Sequence, residues 1–263
     1  MEAGRQDGME DGGCASVSGA ARDAAQGTAQ AVAGKGEAAL SQAARLRIAS
    51  PGDAGGIAAI YRPYVEQTAV TFEYVPPAPS EMAERIARTL ARYPYLVAES
   101  AADGSLLGYA YAGPYYGRAA YGWCCESSLY LRQGLSRQGL GTLLSAALEG
   151  ALALQGLLSV YACIAVADCA DLCLPDPYLP GASVPFHEAR GFRQIGAFPQ
   201  CGFKLGRWYG VVWMEKRLGP RTPDPLPVTP FPEARELVEA RLADLSATLP
   251  ASMQGRPLAS AGR

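Results

Sequence analysis

Apolar and polar positions along this chain repeat with two different periods, and the switches between them lay out a run of strands and helices. The run begins at Leu46-Arg47-Ile48, where apolar, polar, apolar is the pattern of a short strand. Ser50-Pro51-Gly52-Asp53 makes a turn and an N-cap, after which Ile57, Ile60, Tyr61 and Tyr64 recur at helical spacing. Val70-Thr71-Phe72 predicts a short extended piece before the break at Pro76-Pro77. Ser80 is placed to cap a second helix running to Arg92, with Met82, Ile86 and Leu90 facing inward. Two hairpin strands follow at 95–99 and 106–112, joined through Ala102-Asp103-Gly104.

Residues 113–122 are aromatic and glycine-rich, and Arg118 is the one charge among them. A strand over 123–131 and a helix over 139–155 come next. The helix buries Leu140, Leu144, Ala147, Leu148 and Ala151 and stops at Gly156. Residues 159–166 read as a mostly apolar strand, and a helix feeding such a strand predicts a crossover and one parallel pairing. A loop with three prolines spans 167–183, then a short helix lies around 184–190, and strands over 192–203 and 208–217 close the sheet. From Gly219 the prolines at 220, 223, 225, 227, 230 and 232 oppose regular structure. Residues 233–249 regain helical periodicity through Leu237, Leu242 and Leu245, without a strong face to say whether they pack on the domain or stand in solvent.

Composition narrows the class. With 263 residues, 49% of them hydrophobic, the chain can bury a sizeable core in one domain or two small ones. Residues 1–44 carry almost no large apolar side chain and are expected to be a disordered extension, leaving a folded domain over 45–218 and a proline-rich tail over 219–263. Acids at Glu2, Asp7, Glu10, Asp11, Asp23 and Glu37 disfavour an organelle import signal in the first stretch. A net charge of −2 with mixed signs gives no footprint for nucleic acid. No apolar run is long enough for a membrane span and no signal-peptide core is present, so a soluble, cytoplasmic protein is expected. Seven cysteines at irregular spacing suit reduced thiols better than a disulfide framework. Cys169 and Cys173 could be half a metal site, but the sole histidine, His187, lies beyond a proline-rich loop, and no metal is expected.

The stretch with the sharpest chemistry runs from strand 123–131 through Ser136-Arg137-Gln138-Gly139-Leu140-Gly141-Thr142 into the long helix. A glycine-rich turn opening a helix presents unpaired backbone N–H groups at the positive end of the helix dipole, which makes an anion site. Leu140-Gly141 stand where a P-loop needs Lys-Ser/Thr, and Leu144 stands where a dinucleotide fingerprint needs its third glycine. What remains resembles the pyrophosphate loop of the Gcn5-related N-acetyltransferases (GNAT).

Further runs resemble the phosphinothricin and methionine-sulfone acetyltransferase branch of that family. They are residues 93–99 (YPYLVAE), 109–114 (YAYAGP), 120–123 (AYGW) with Glu126-Ser127, 186–192 (FHEARGF) and 206–209 (GRWY) ahead of 211–214 (VVWM). The resemblance implies an α/β (α+β) fold with a mixed, mostly antiparallel central sheet and helices on both faces. It also implies an enzyme that moves acetyl from acetyl-coenzyme A to the amine of a small amino acid or analogue. The chain departs from the branch in three ways: Ser136 replaces the usual Gln or Arg, the 167–183 loop is longer, and both tails are extra.

Glu126 lies in a strand between Cys125 and Ser127, near Trp123 and Tyr121, where burial would raise a carboxyl toward the range of a general base. In the resembling enzymes the matching glutamate takes the amine proton. His187 stands where many acetyltransferases place a tyrosine that protonates the leaving thiolate, and is assigned as general acid or second base. By resemblance the backbone of Leu129, Tyr130 and Leu131 would pair with the pantetheine arm, and Arg137, Gln138, Gly139, Leu140, Gly141 and Thr142 would hold the pyrophosphate. Arg118 suits capture of a carboxylate or phosphinate, and the resemblance implies Phe72 and Tyr121 as pocket walls. Cys124 and Cys125 read as packing, since direct transfer needs no covalent intermediate. A polyamine or protein N-terminus as substrate, a non-catalytic coenzyme A sensor, and a homodimer are left open.

Overall fold

The computed structural model describes residues 44–172 and 174–247, so the expectations for residues 1–43, for Cys173 and for residues past 247 lie outside it. Seven strands form one sheet: β1 (Ala44–Ile48), β2 (Tyr95–Ser100), β3 (Leu106–Pro114), β4 (Cys124–Leu131), β5 (Ser159–Val166), β6 (Arg193–Lys204) and β7 (Arg207–Arg217). Their spatial order is β1-β2-β3-β4-β5-β7-β6. Every neighbouring pair is antiparallel except β4–β5, as the crossover through the intervening helix requires. β2 is buried from Tyr95 through Ala98 without alternation, because helices cover the sheet on both sides.

One face carries α1 (Ala54–Gln67) and α2 (Pro79–Leu90), whose Ile57, Ile60, Met82 and Ile86 pack with Tyr95, Val97 and Tyr109. The other carries α3 (Leu140–Leu154), α4 (Ser183–Ala189) and α5 (Phe231–Ala247). Leu140, Leu144 and Leu152 of α3 join Leu96, Ala110 and Ala112 of the sheet in the larger core.

Two local expectations change, and one question left open by the periodicity is decided. Residues 70–72 belong to the bending loop between α1 and α2 and pair with no strand. Pro79 takes the first position of α2 with Ala78 as N-cap, so Ser80 is already inside the helix. Proline's fixed φ and missing N–H suit that first turn, and the helix stops at Leu90. The C-terminal helix packs on α3 and β1 rather than standing in solvent. Its buried face is Phe231, Ala234, Val238 and Leu242, whereas Leu237 is 60% exposed. Pro232 is tolerated because it sits in the helix's first turn, where its N–H would have no partner.

Candidate active site

The parallel ladder is short. β4 and β5 pair at Cys124–Ser159, Cys125–Val160 and Glu126–Tyr161, and the register ends there. Each strand keeps its outer neighbour far beyond that point: β4 pairs with β3 up to Leu131–Gly108, and β5 with β7 up to Val166–Gly210. The two strands therefore part above Glu126, and the facing backbone edges of residues 127–131 and 162–166 border a wedge. Leu129 and Leu131 pack toward α3, and Tyr130 packs toward α1, its ring edge-on to Tyr61 and Tyr64 at 5.0 and 5.2 Å. The Leu131 carbonyl already accepts the Tyr64 hydroxyl at 2.7 Å.

At the open end of the wedge the chain turns into α3. Gly139 is the N-cap, at φ 76, and has no side chain with which to cap the helix. Arg137 also sits at positive φ, 62, in a region costly for a side-chain-bearing residue. The first-turn amides of Leu140, Gly141 and Thr142 thus have no capping side chain and carry the positive end of the dipole. Beside them the Gln138 amide nitrogen donates to the Gly134 carbonyl at 3.2 Å, while its Oε1 is buried with no partner. A Cβ on Gly141 would lie 3.5 Å from the Phe186 ring and 3.7 Å from Leu131, so α3, α4 and β4 converge at this turn. An uncapped helix start next to two open strand edges fits an extended ligand with an anionic group, whereas the Gln138 Oε1, an acceptor, could only take a donor.

Glu126 is half-buried at the vertex, on the α1–α2 side of the sheet, and burial pushes its carboxyl above the ordinary range. Its charge is felt by Tyr111, Tyr115 and Cys163, which surround it from β3, the following loop and β5. Tyr115 stacks on Tyr161 with centroids 4.2 Å apart and meets Trp213 edge-on at 5.4 Å.

A second wall comes from the α1–α2 loop, which is clamped to the β6–β7 hairpin. The Lys204 ammonium, 2% exposed, donates to the Thr71 carbonyl at 2.6 Å. The Tyr74 hydroxyl donates to the Phe203 carbonyl, and the Phe72 ring covers Gly202 so closely that a Cβ there would overlap it. Burial lowers the Lys204 pKa, and the nearby Glu73 charge opposes that shift. Glu73 is held by Arg85 at 2.8 and 3.2 Å and accepts the Tyr61 hydroxyl at 3.2 Å.

Arg118 and Tyr121 line a different cleft, about 550 Å³, at the foot of β3 together with Arg88, Arg92, Tyr93 and Tyr116. Phe72 instead clusters with Ala69, Tyr178, Leu179 and Tyr209. The three residues expected to wall one pocket therefore lie at two ends of the Glu126 region. Gly113, the register partner of Glu126, lines the arginine cleft, and Tyr115 stands edge-on to Tyr121 at 5.8 Å.

His187 lies on α4, edge-on to Phe186 and Phe192 at 5.3 and 4.9 Å. Its Nδ1 is 2.7 Å from the Ser183 carbonyl, so Nδ1–H donates and a neutral ring leaves Nε2 as an acceptor. Burial lowers its pKa, against the opposing effects of the Ser183 bond and the Glu149 charge. Neutral imidazole is the favoured form.

Sequence reasoning missed Glu73, Lys204, Tyr115 and Tyr161. Glu73 and Tyr115 adjoin singled-out stretches, but Lys204 becomes notable only when found buried. Among the described residues no group of His, Cys, Asp or Glu could hold a metal ion, and no helix is long and apolar enough to cross a membrane.

A mixed sheet split at its parallel pair, with an uncapped helix at the wedge's mouth and a carboxyl at its vertex, defines a group-transfer enzyme of the acetyltransferase fold. The chain belongs to the GNAT acetyltransferase family: the family's acetyltransferase domain matches residues 46–213. Phosphinothricin N-acetyltransferase of Streptomyces viridochromogenes is 36% identical over 186 residues, 70% of this chain and 94% of that protein. The L-methionine sulfoximine/L-methionine sulfone acetyltransferase of Pseudomonas paraeruginosa is 35% identical over 182 residues, 67% of this chain and 96% of that one. Among solved structures, a phosphinothricin acetyltransferase from Sinorhizobium meliloti in complex with AcCoA has a TM-score of 0.61 and 32% identity, covering 72% of this chain and 98% of that one.

Proposed function

We propose that this enzyme transfers acetyl from acetyl-coenzyme A to the amine of a small amino acid or amino-acid analogue, with Glu126 as the general base. The observation that carries the reading is the half-buried carboxyl at the vertex of a wedge whose mouth is an uncapped helix start. Acetyl-coenzyme A supplies the activated acetyl thioester. The amides of Leu140–Thr142, with Arg137, Gln138 and Gly139, would hold its diphosphate, and the edge of Leu129–Leu131, apart from the Leu131 carbonyl held by Tyr64, would meet its arm.

The groove residues then have separable tasks. Glu126, with a raised pKa, takes a proton from the incoming ammonium and frees its lone pair; the nitrogen then attacks the thioester carbonyl, the C–S bond breaks, and coenzyme A leaves as a thiolate that takes its proton from the groove water. His187, neutral and with Nε2 as acceptor, is suited to a second base and poorly suited to a general acid. Arg118 takes the substrate's carboxylate or phosphinate in the cleft beside Gly113, and Phe72 closes the far wall. Three guanidiniums around one cleft, Arg88, Arg92 and Arg118, would repel a polyamine and favour an anionic substrate. The similarity to enzymes named for phosphinothricin and methionine sulfoximine supports the same class.

Glu126→Gln is the direct test. Turnover of an amino-acid panel, followed by thiol release, should fall at least about a hundredfold. Thermal stabilisation by acetyl-coenzyme A should persist. Wild-type turnover in this variant would remove Glu126 from the mechanism.

A further inference from the structure

The segment that follows β7 lies beyond the residues matched by the family domain, yet it is bonded to the closed end of the wedge. Arg221 reaches back and donates through Nη2 to Glu215 Oε1 at 2.9 Å and to Ser159 Oγ at 3.1 Å. The Leu226 carbonyl accepts the Trp123 indole N–H at 2.8 Å, one residue before β4. Thr229 donates its N–H to the Gln155 carbonyl at 2.8 Å, and its carbonyl accepts the Gln155 side chain at 2.8 Å. That side chain, buried to 1% exposure, also donates to the Arg92 carbonyl at 2.9 Å, and Phe231 N–H bonds the same carbonyl at 3.2 Å. The segment thus crosses the starts of β4, β5 and β2 and the end of α3 before α5 begins.

These anchor points converge on the Glu126 region. Glu215 is buried and accepts Ser159 Oγ at 3.2 Å, Arg193 at 2.5 Å and, at a longer 3.4 Å, the Tyr161 hydroxyl. Burial pushes its carboxyl up, but the bonds from Arg193 and Ser159 and the charges of Arg193 and Arg221 outweigh it, so the group stays ionised. Tyr161 is the register partner of Glu126 and the platform on which Tyr115 stacks. A chain of contacts therefore runs from Arg221 through Glu215 and Tyr161 to Tyr115, beside the proposed base.

We propose that residues 219–229 form a positioning strap for the active site, in which Arg221 acts through Glu215 and Tyr161 to fix the Tyr115 wall against Glu126. The inference rests on the reading of the Glu126 groove as the site of transfer. Arg221 and Glu215 touch no reacting atom in this scheme. Their effect is on the placement and dryness of the groove, where small displacements are costly to rate.

The test is a double-mutant cycle on the full chain, pairing Arg221→Gln with Tyr115→Leu, two residues linked in this scheme through Glu215 and Tyr161. Arg221→Gln should lower kcat about tenfold, with the KM for acetyl-coenzyme A unchanged. Its effect should largely vanish in the Tyr115→Leu background, because the relay then has no wall to place. Arg221→Lys, which keeps the charge but not the guanidinium geometry, should restore part of the rate. Should Arg221→Gln fold poorly, Arg221→Met, which removes the same ion pair but keeps an apolar stem and leaves Glu215 paired with Arg193, replaces it in the cycle. A kcat unchanged within about twofold alongside a lowered Tm would reduce the strap to a structural clasp and overturn the proposal. So would full additivity with Tyr115→Leu. The kcat coupling is read whichever group takes the proton, so an active Glu126→Gln variant sinks the base and leaves the strap to be judged separately.

Discussion

Glu126 and Tyr161 form the last register pair of the parallel β4–β5 ladder, which puts the carboxyl at the point where the sheet begins to split. Paired backbone on one side and a widening wedge on the other let this side chain be half-buried and still reachable from the groove.

Burial raises the Glu126 carboxyl, so the base form is lost at a higher pH than for an exposed glutamate. On a plot of kcat/KM against pH the plateau should lie on the alkaline side, with an acid limb displaced upward from the ordinary carboxylate range. Stability should show the opposite face of the same shift. Below the ordinary value the group is protonated in both folded and unfolded chains and contributes no pH dependence. Between the ordinary and the raised values the unfolded chain loses the proton first, so ionisation weakens the fold. Glu126→Gln should therefore exceed wild type in Tm at about pH 8 and match it near about pH 3. A wild-type Tm advantage at the higher pH would contradict the desolvated carboxyl.

Arg118→Ala should raise the amine substrate's KM about tenfold or more, as expected for losing a charge-assisted bond to a carboxylate, and leave the KM for acetyl-coenzyme A in place. Arg88→Ala and Arg92→Ala, which open the same cleft, should act in the same direction more weakly. Steady-state kinetics on one amino acid decides this. Indifference of the amine KM to Arg118→Ala would point to a cationic substrate instead.

Gly202→Ala should force the Phe72 ring off the hairpin, since the added Cβ overlaps the ring. The expected cost is about 1–3 kcal/mol of stability, with a rise in amine KM as the wall moves. Lys204→Met should loosen the same loop by removing the bond to Thr71 while keeping the apolar stem. Urea melts and amine kinetics together check the pair. If both variants kept the wild-type amine KM, the α1–α2 loop would not be part of the pocket.

Gly139→Ala places a side chain at φ 76, which should cost about 1–2 kcal/mol and tilt the amides of the first turn. Isothermal titration should then show weaker acetyl-coenzyme A binding, and kcat at saturating cofactor should change little. Unaltered affinity would remove this turn from the diphosphate site.

The amino-acid sequence by itself determined the succession of elements, the parallel crossover, the glycine-opened helix and the placement of Glu126 on a central strand. Those features follow from local periodicity and turn chemistry, and from several short runs that resemble one family. It also singled out His187, but the donation from Nδ1 to Ser183 and the burial that keeps the ring neutral depend on atoms four residues away and on neighbouring elements. Only the tertiary structure decided where β4 and β5 part, because register is a relation between strands and no single strand records it. Packing alone could separate Phe72 from Arg118, bury Lys204 beneath the α1–α2 loop, and seat Phe231 in the core. The proline-rich stretch before α5 looked like a tail since its own pattern offers no face. Its hold on Trp123, Gln155 and Ser159 comes from partners 62 to 103 residues away in sequence, and only the pair to Glu215 is local.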